Sequence, residues 1–257
     1  MTEQKGKNWC EDFYDDHFAE HHLVRADKKE LDDTIRFFEE KLHLRPGCRI
    51  FDQCCGIGSL SIALAGKGYK MNGVDLIPSY ISRAQRDALN AGAACRFESG
   101  DAYTYTTPEP CDAAINWWTS FGYTPDDRQN MEILHCVHKS LKPGGRFALD
   151  YMNAPQRLME FGGGTYTRSE TKKGDYTSIW ESHLDHANNM IVKNWRCRYL
   201  DGREIVKQGG GAKLYTKDDL EQMFKTCGFG NVHFYGSIAG ETLTDSSPRC
   251  IVVAEKI

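Results

Sequence analysis

Residues 49–151 alternate between short apolar runs and longer amphipathic runs, and this alternation restricts the fold more than any other feature. Strands are predicted at 49–51, 69–74, 94–98, 111–117 and 146–151, and helices at 60–65, 78–90 and 130–141. Strands separated by helices pair in parallel, and the crossover helices cover both faces of the sheet. The chain is therefore expected to adopt a doubly wound α/β fold on a mostly parallel sheet.

The pattern changes after residue 151. Residues 164–214 contain β-rich stretches separated by polar turns such as Lys173-Gly174-Asp175, which is typical of an antiparallel meander. The glycine run 209–211 is interpreted as a flexible exit from this meander, and two short strands are predicted near the C-terminus. We therefore expect a seven-stranded sheet with the meander, at about residues 160–213, inserted after its fifth strand.

The N-terminal region differs from the rest of the chain in its aromatic content. Aromatic side chains between Trp9 and Phe18 lie among acidic residues and histidines, which predicts one or two helices with an aromatic stripe. We divide the chain into an N-terminal helical cap, residues 1–44, and a main domain, residues 45–257, that carries the meander.

Composition excludes several classes of protein. The 257 residues, 40% of them hydrophobic, suffice for a full core, and the net charge of −4 argues against a dedicated nucleic-acid binder. The ten cysteines form no C-x-x-C pair, so we interpret them as free thiols in a reducing compartment. Segment 1–7 lacks a signal-peptide pattern, and no apolar run is long enough for a bilayer. We expect a cytoplasmic protein with no membrane partner; a homodimer stays open.

Three loops at the ends of predicted strands carry the residues expected to bind a ligand. Gly56 and Gly58 follow the first strand, where glycines let a bulky ligand approach backbone N–H groups at a helix start. Asp75 ends the second strand, where its carboxylate can accept hydrogen bonds from both hydroxyls of a ribose. Asp101 follows the third strand and can accept from an adenine amino group, beside the N–H of Ala102. Together the loops predict an adenosine-binding site.

A nicotinamide-binding Rossmann domain is the main alternative for such a site. Its fingerprint is G-x-G-x-x-G, whereas this chain has Gly56-Ile57-Gly58-Ser59-Leu60-Ser61 and lacks the third glycine. An acidic residue, Asp52, ends the first strand instead, and a dehydrogenase does not need Gly100-Asp101. These differences disfavour the nicotinamide alternative.

Five segments, in order, resemble the motifs of class I S-adenosylmethionine-dependent methyltransferases. Asp52-x-Cys54-x-Gly56-x-Gly58 resembles the first motif, Asp/Glu-x-Gly-x-Gly-x-Gly, with Cys54 in place of its first glycine. The other four are Gly73-Val74-Asp75-Leu76, Ser99-Gly100-Asp101-Ala102, Asp112-Ala113-Ala114-Ile115-Asn116 and residues 141–147. The resemblance covers about residues 35–151 and 213–257, and it implies the Rossmann-like fold of that family.

The resemblance implies S-adenosylmethionine as the cofactor, together with a set of contacts. The methionine end is expected at Asp52, Cys54, Gly56 and Gly58 with Tyr14 folded over it, the ribose at Asp75 and Leu76, the adenine at Asp101 and Ala102, and the sulfonium at Asn116 and Trp117.

The methyl acceptor is expected beyond the fourth and fifth strands, because methyl transfer is an in-line displacement that depends on alignment. Residues 119–123 resemble a segment of small-molecule methyltransferases, including some that methylate amino sugars and insert a meander after strand five. Tyr123 is the first candidate for orienting or deprotonating the acceptor, since it follows the fourth strand. The candidate acceptor-binding residues are Arg25, Trp118, Tyr151 and Asn153.

Several alternatives stay open. His17, His21 and His22 have a spacing that suits a metal, but we prefer a polar helix face and predict no metal site. Trp117 and Trp118 would point opposite ways in a strand, so that either one of them faces the pocket or both pack in the core. The predicted function is methyl transfer to a nitrogen or oxygen of a small polar metabolite. Its alternatives are carbon methylation, other S-adenosylmethionine chemistry, and a non-catalytic binding protein.

Overall fold

The strand–helix alternation predicted for residues 49–151 is confirmed in the computed structural model, which describes residues 9–24 and 27–257. The strands of the described residues are β1 (Arg49–Gln53), β2 (Lys70–Asp75), β3 (Cys95–Ser99), β4 (Cys111–Asn116), β5 (Leu141–Tyr151), β6 (Tyr166–Lys173), β7 (Tyr176–Asp185), β8 (Met190–Tyr199), β9 (Glu204–Lys213), β10 (Phe229–Tyr235) and β11 (Cys250–Lys256). Seven strands form the main sheet, in the order β10-β11-β5-β4-β1-β2-β3. Strands β1 to β5 pair in parallel, and β11 pairs antiparallel with β5 and β10.

Helices connect the parallel strands and precede the main sheet. The helices of the described residues are α1 (Trp9–Phe13), α2 (Asp16–Phe18), a π-helical turn (Ala19–Leu23), α3 (Lys28–Lys41), α4 (Ser59–Gly66), α5 (Pro78–Ala91), α6 (Asp127–Ser140), α7 (Ala154–Met159) and α8 (Lys217–Thr226). Asp27 caps α3, and Thr216 and Asp219 form a capping box at the start of α8. Helices α4, α5 and α6 are the crossovers that the alternation predicted.

Successive residues of the central strands are buried on opposite faces of the main sheet. Phe51 belongs to a core that includes residues of α6 and α8, whereas Ile50 belongs to a second core with α3 and α4. A parallel sheet needs helices on both faces, because its strands are apolar on both. Phe38 of α3 is fully buried in the second core, so this helix contributes to the main sheet. The proposed boundary between a cap and a main domain at residue 44 stays a prediction.

The meander predicted after the fifth strand is a four-stranded antiparallel sheet of order β6-β7-β8-β9. The prediction of a flexible glycine exit is wrong, since residues 209–211 lie within β9. A Cβ on Gly210 would come 2.7 Å from Cε2 of Phe13, and one on Gly211 would come 2.8 Å from the carbonyl oxygen of Ile191. Gly210 therefore allows α1 to pack closely on the sheet, and Gly211 allows a close approach of the neighbouring strand β8.

The described residues contain no helix that is long and apolar enough to span a membrane. All ten cysteines lie in this part of the chain as free thiols, and six of them are buried.

The ring of Phe97 on β3 occupies the space that a side chain at Gly73 or Gly58 would need. This contact leads to a prediction about stability. A Cβ on Gly73 would come 2.6 Å from Cδ1 of Phe97, and one on Gly58 would come 2.7 Å from its Cζ. We expect Gly73→Ala to lower the free energy of unfolding by about 1–3 kcal/mol, because a packed core accommodates an added methyl group only with strain. Urea unfolding measures the effect. In the Gly73→Ala background, Phe97→Leu should restore part of the lost stability.

Gly66→Ala is the matched control for this substitution. Gly66 is the last residue of α4, and a Cβ there would meet nothing within 4 Å. The control should be neutral or slightly stabilising, since alanine is favoured over glycine in helices. An equal effect of the two substitutions would contradict the packing explanation.

Candidate active site

A cavity of about 370 Å³ lies at the carboxyl ends of the parallel strands, a size typical of small-molecule sites. Its floor is formed by the loops that follow β1, β2, β3 and β4. Residues of the N-terminal segment from α1 to the π-helical turn cover it from the other side, including Cys10, Tyr14, Phe18 and Leu23. The aromatic N-terminal stripe of the sequence is therefore placed against this cavity.

The loop after β1 is a tight turn built from left-handed backbone. Cys54, Gly56 and Gly58 have φ angles of 63°, 56° and 76°. A cysteine in this conformation carries strain that a glycine avoids, which explains why the related motif prefers glycine at this point. Cys54 and Gly56 line the cavity, and α4 begins directly after the turn at Ser59.

Asp75 lies at the end of β2 and lines the cavity floor. Its Oδ2 accepts a hydrogen bond from the Gly56 N–H at 2.8 Å, and its Oδ1 accepts from the Ile77 N–H at 3.0 Å. Burial raises the pKa of this carboxyl group above its usual value, and hydrogen bonds from the Ile77 and Gly56 N–H groups act against that rise. Each oxygen keeps a lone pair for a hydroxyl donor.

The loop after β3 supplies the opposite wall. Asp101 is exposed at the rim and accepts a hydrogen bond from the Tyr103 N–H at 3.0 Å, with Ala102 also lining the cavity. Tyr103 was not predicted from the sequence. Its ring lines the cavity, and its buried hydroxyl has no hydrogen-bond partner among the described residues. A buried hydroxyl in this state favours a polar ligand atom nearby.

Three of the predicted cofactor residues do not line the cavity, which corrects the expectation of direct contact. Asp52 is 3% exposed and accepts a hydrogen bond from the Ser61 hydroxyl at 2.6 Å. Gly58 leaves space for Phe97, and Asn116 donates to the Gln53 side-chain oxygen and the Ser120 carbonyl at 3.1 and 3.2 Å. All three support the cavity loops from behind.

The buried carboxyl group of Asp52 predicts a pH-dependent stability. Burial raises its pKa to about 7, the Ser61 hydrogen bond acts against this rise, and Asp75 adds to it. Between its ordinary value of 3.8 and about 7 the unfolded chain binds fewer protons at Asp52 than the folded one, so stability falls as pH rises. We expect Asp52→Asn to gain stability over the parent across that window, by at most about 1.4 kcal/mol per pH unit.

Chemical unfolding at several pH values measures this gain. Asp112→Asn is the matched control, because Lys142 and the Arg49 N–H lower the pKa of Asp112 and the sign is opposite. If the stability difference between Asp52→Asn and the parent does not change with pH, the raised pKa of Asp52 is contradicted.

Trp117 and Trp118 both line the cavity, so neither alternative of the sequence prediction holds. Strand β4 ends at Asn116, and Trp118 has a φ of 61°, so the alternation of a strand no longer applies to the pair. Trp117 is also packed edge-to-face on Phe38, with ring centroids 4.5 Å apart. The indole rings give this end of the cavity a surface that suits a cationic group.

Tyr123 and Tyr14 form a hydrogen-bonded pair in the cavity wall. The Tyr123 hydroxyl donates to the Thr119 carbonyl oxygen at 2.9 Å, so it accepts from the Tyr14 hydroxyl, 2.8 Å away. Burial, together with the neighbouring Tyr14, raises the pKa of Tyr123 well above 10. A phenol that keeps its proton orients a neighbour rather than deprotonating it, which disfavours Tyr123 as a base.

Two of the predicted acceptor residues are structural, which corrects their assignment. Tyr151 is fully buried and donates its hydroxyl proton to the Lys213 carbonyl oxygen. Asn153 is 3% exposed, and its amide donates to three carbonyl oxygens, those of Thr244, Asp245 and Ser247. Neither lines the cavity, whereas Trp118 does. Arg25 lies outside the described residues.

The histidines of the N-terminal segment contact neighbouring aromatic and polar groups. The His21 ring lies 2.9 Å from the Tyr199 hydroxyl and 2.6 Å from the His17 carbonyl oxygen, and His22 packs on Trp195 with centroids 4.8 Å apart. In residues 9–24 and 27–257 no cluster of three or more histidine, cysteine or acidic residues has a geometry that suits a metal ion.

Comparisons with known proteins agree on one family. A family described as "Methyltransferase domain" matches residues 50–145. The putative methyltransferase YqeM of Bacillus subtilis is 26% identical over 187 residues, which are 70% of this chain and 73% of that protein. The chain spans only a quarter of the plant phosphoethanolamine N-methyltransferases that it also matches.

Solved structures share the whole architecture. The CcbJ methyltransferase from Streptomyces caelestis has a TM-score of 0.81 at 15% identity, over 96% of this chain and 98% of that one. An S-adenosylmethionine-bound amino pentose methyltransferase from Micromonospora echinaspora has a TM-score of 0.70 at 19% identity, over 95% and 98%. At these identities the likeness shows a common fold, which includes both sheets.

Proposed function

Because this chain is a class I S-adenosylmethionine-dependent methyltransferase, we propose that it methylates a nitrogen or oxygen atom of a small polar metabolite at the Trp118 end of the cavity. The amino pentose enzyme is named for a small polar sugar, and the plant phosphoethanolamine enzymes are named for methyl transfer to nitrogen of a small polar molecule. A small acceptor also suits a cavity that is closed by the N-terminal helices on one side.

The residues that line the cavity fit the cofactor. The turn at Cys54–Gly56 would hold the methionine end under Tyr14, Asp75 would accept from the ribose hydroxyls, and Asp101 with Ala102 would bind the adenine. The single observation that carries this assignment is the carboxylate of Asp75, half-buried at a strand end in the cavity wall with one backbone N–H on each oxygen. S-adenosylmethionine supplies an electrophilic methyl group on a positively charged sulfur, next to which Trp117 would lie.

The chain's own residues then act by alignment. Trp117, Trp118 and the Tyr14–Tyr123 pair shape the wall at which the acceptor nucleophile must lie in line with the methyl group. The covering aromatic residues exclude water from the reacting atoms. Tyr123 donates its proton to Thr119, so its oxygen would hold the acceptor by accepting a hydrogen bond with its remaining lone pair.

Product analysis tests the proposed function. The purified protein is incubated with methyl-labelled S-adenosylmethionine and a panel of small amines, alcohols and carbon acids, and mass spectrometry follows S-adenosylhomocysteine and labelled products. We expect turnover with label on nitrogen or oxygen. Label on carbon would support carbon methylation instead, and cofactor binding without turnover on any acceptor would support a non-catalytic binding protein.

Tyr123→Phe tests the role of the tyrosine pair once an acceptor is known. The substitution removes the donor to Thr119 and leaves the buried Tyr14 hydroxyl without its acceptor, so we expect kcat/KM to fall by about 10-fold or more. Steady-state kinetics at fixed cofactor measures the change. Tyr199→Phe is the matched control, because that hydroxyl also contacts the N-terminal segment, at His21, but does not line the cavity. Full activity of Tyr123→Phe would exclude the role.

A further inference from the structure

The turn that follows β4 has a backbone conformation that its residues rarely adopt. Trp118 and Thr119 have φ angles of 61° and 64°, so two successive residues lie in the left-handed region. This region is uncommon for residues other than glycine, and it is least favourable for bulky and β-branched side chains. Strained backbone of this kind persists only where the surrounding structure fixes it, and it clusters at functional sites.

Asp150 provides a hydrogen-bond acceptor for each peptide N–H of this turn. Its Oδ2 accepts from the Trp118 N–H at 3.1 Å, and its carbonyl oxygen accepts from the Thr119 N–H at 3.1 Å. Asp150 lies on β5, which is the neighbour of β4 in the main sheet, and 4% of its side chain is exposed. The strained turn is therefore attached to a buried strand.

Arg249 joins the Asp150 carboxylate to the side chain of the same turn. Its Nε and Nη2 donate to Oδ1 and Oδ2 of Asp150 at 2.6 and 2.7 Å, and Nη2 also donates to the Thr119 hydroxyl at 2.7 Å. A planar guanidinium makes such bonds in a fixed geometry, which a lysine ammonium group does not reproduce. Arg249 directly precedes β11, the other neighbour of β5. Three adjacent strands thus fix the turn.

The turn connects these residues to two side chains of the cavity wall. Trp118 lines the cavity at its acceptor end, and the Thr119 carbonyl oxygen accepts from the hydroxyl of Tyr123, a second lining residue, at 2.9 Å. Thr119, Asp150 and Arg249 do not line the cavity themselves. Any effect of the Arg249–Asp150 pair on the reaction must therefore pass through the turn.

We propose that Arg249 and Asp150 are positioning residues, which hold the Trp118–Thr119 turn in place for methyl transfer. The turn in its strained form sets where the Trp118 indole and the Tyr123 hydroxyl meet the acceptor. This inference rests on the proposed function, because it assigns the alignment of the acceptor to these two side chains. An in-line displacement tolerates little misalignment, so a loosened turn slows methyl transfer while the cofactor still binds.

Thr119→Val tests this role by kinetics. Valine keeps the size and the branched Cβ of threonine, but it removes the hydroxyl to which Arg249 donates. With the acceptor found by product analysis, we expect kcat to fall by about 10-fold at unchanged S-adenosylmethionine affinity. Thr119→Ser restores the hydroxyl and should rescue the lost rate. Thr171→Val, on the exposed strand β6, is the matched control and should react as the parent does.

Acrylamide quenching of Trp118 fluorescence tests the turn without an acceptor. The signal is the difference between each protein and its Trp118→Phe counterpart, which removes the contribution of the other tryptophans. We expect stronger quenching in Thr119→Val and in Arg249→Lys than in the parent, because the indole is held less firmly. Lysine keeps the charge of Arg249 but loses the fork of donors, so this variant separates the hydrogen bonds from the ion pair.

Two outcomes would overturn the inference: a parent-like kcat in both Thr119→Val and Arg249→Lys, or unchanged quenching of Trp118 in both. Thr119→Val leaves the buried ion pair in place and decides the result if Arg249→Lys folds poorly. Turnover by the parent with either outcome would leave the proposed function intact. Absence of turnover in the parent would contradict the proposed function itself, and quenching would still show whether Arg249 holds the turn.

Discussion

Replacing Asp75 with alanine should weaken S-adenosylmethionine binding by about 100-fold or more, the largest loss expected for one residue of the site. Two ribose hydroxyls would lose a charged acceptor, and each such hydrogen bond contributes about 1.5–3 kcal/mol. The Gly56 and Ile77 N–H groups would also lose their partner, which loosens the loop that holds the methionine end. Isothermal titration calorimetry with S-adenosylmethionine measures the loss.

Asp75→Asn sharpens this prediction. Each carboxylate oxygen faces a backbone N–H, so the amide nitrogen of asparagine would meet a donor in either orientation. We therefore expect asparagine to be almost as harmful as alanine. Asp112→Ala is the control, since Asp112 lies on β4, outside the cavity lining, and pairs with Lys142 at 2.5 Å. Unchanged cofactor affinity in Asp75→Ala would reject the ribose assignment.

Arg249→Met should lower the midpoint of thermal unfolding by about 6–20 °C, the largest stability effect expected from a single side chain. Asp150 is buried with 4% of its side chain exposed, and removal of Arg249 takes from that carboxylate an ion pair made through two guanidinium nitrogens. Breaking a buried pair from one side costs about 3–5 kcal/mol, and each kcal/mol shifts a chain of this size by about 2–4 °C.

Differential scanning calorimetry measures the shift. In the Arg249→Met background, Asp150→Asn should recover part of the loss, because it removes the buried negative charge that Arg249 had balanced. Arg168→Met is the control, since the Arg168–Glu170 pair on β6 is exposed and such pairs contribute about 0–1 kcal/mol. Similar shifts for the two arginine variants would contradict the buried-pair explanation.

The sequence was most informative where a residue pattern is compatible with a single type of structure. Alternating strands and helices permit only a parallel sheet covered on both faces, and the observed β1 to β5 agree with this expectation. The loop residues Asp75 and Asp101 could be placed together because the carboxyl ends of parallel strands meet at one edge. Spacing along the chain therefore located the site.

Position after a strand did not reveal where a side chain points. Tyr151 and Asn153 follow β5, as acceptor residues would, but their side chains bond to carbonyl groups of other segments. Tyr103 lines the cavity, yet nothing in its sequence context separates it from a surface tyrosine. The glycines at 209–211 were mistaken for a flexible exit because the close contacts of Gly210 with Phe13 and of Gly211 with Ile191 leave no trace in the local sequence.

The chain segment that forms the second sheet starts and ends at neighbouring positions of the main sheet. The segment starts after Tyr151 and ends at Lys213, the last residue of β9. The Tyr151 hydroxyl donates to the Lys213 carbonyl oxygen. The Lys213 N–H in turn donates to the Gly122 carbonyl oxygen at 2.8 Å. The two points at which this segment joins the main sheet are therefore adjacent in space. Recombination at these junctions would exchange the whole second sheet in one genetic event and leave the main sheet, with the loops that line the cavity, unaltered.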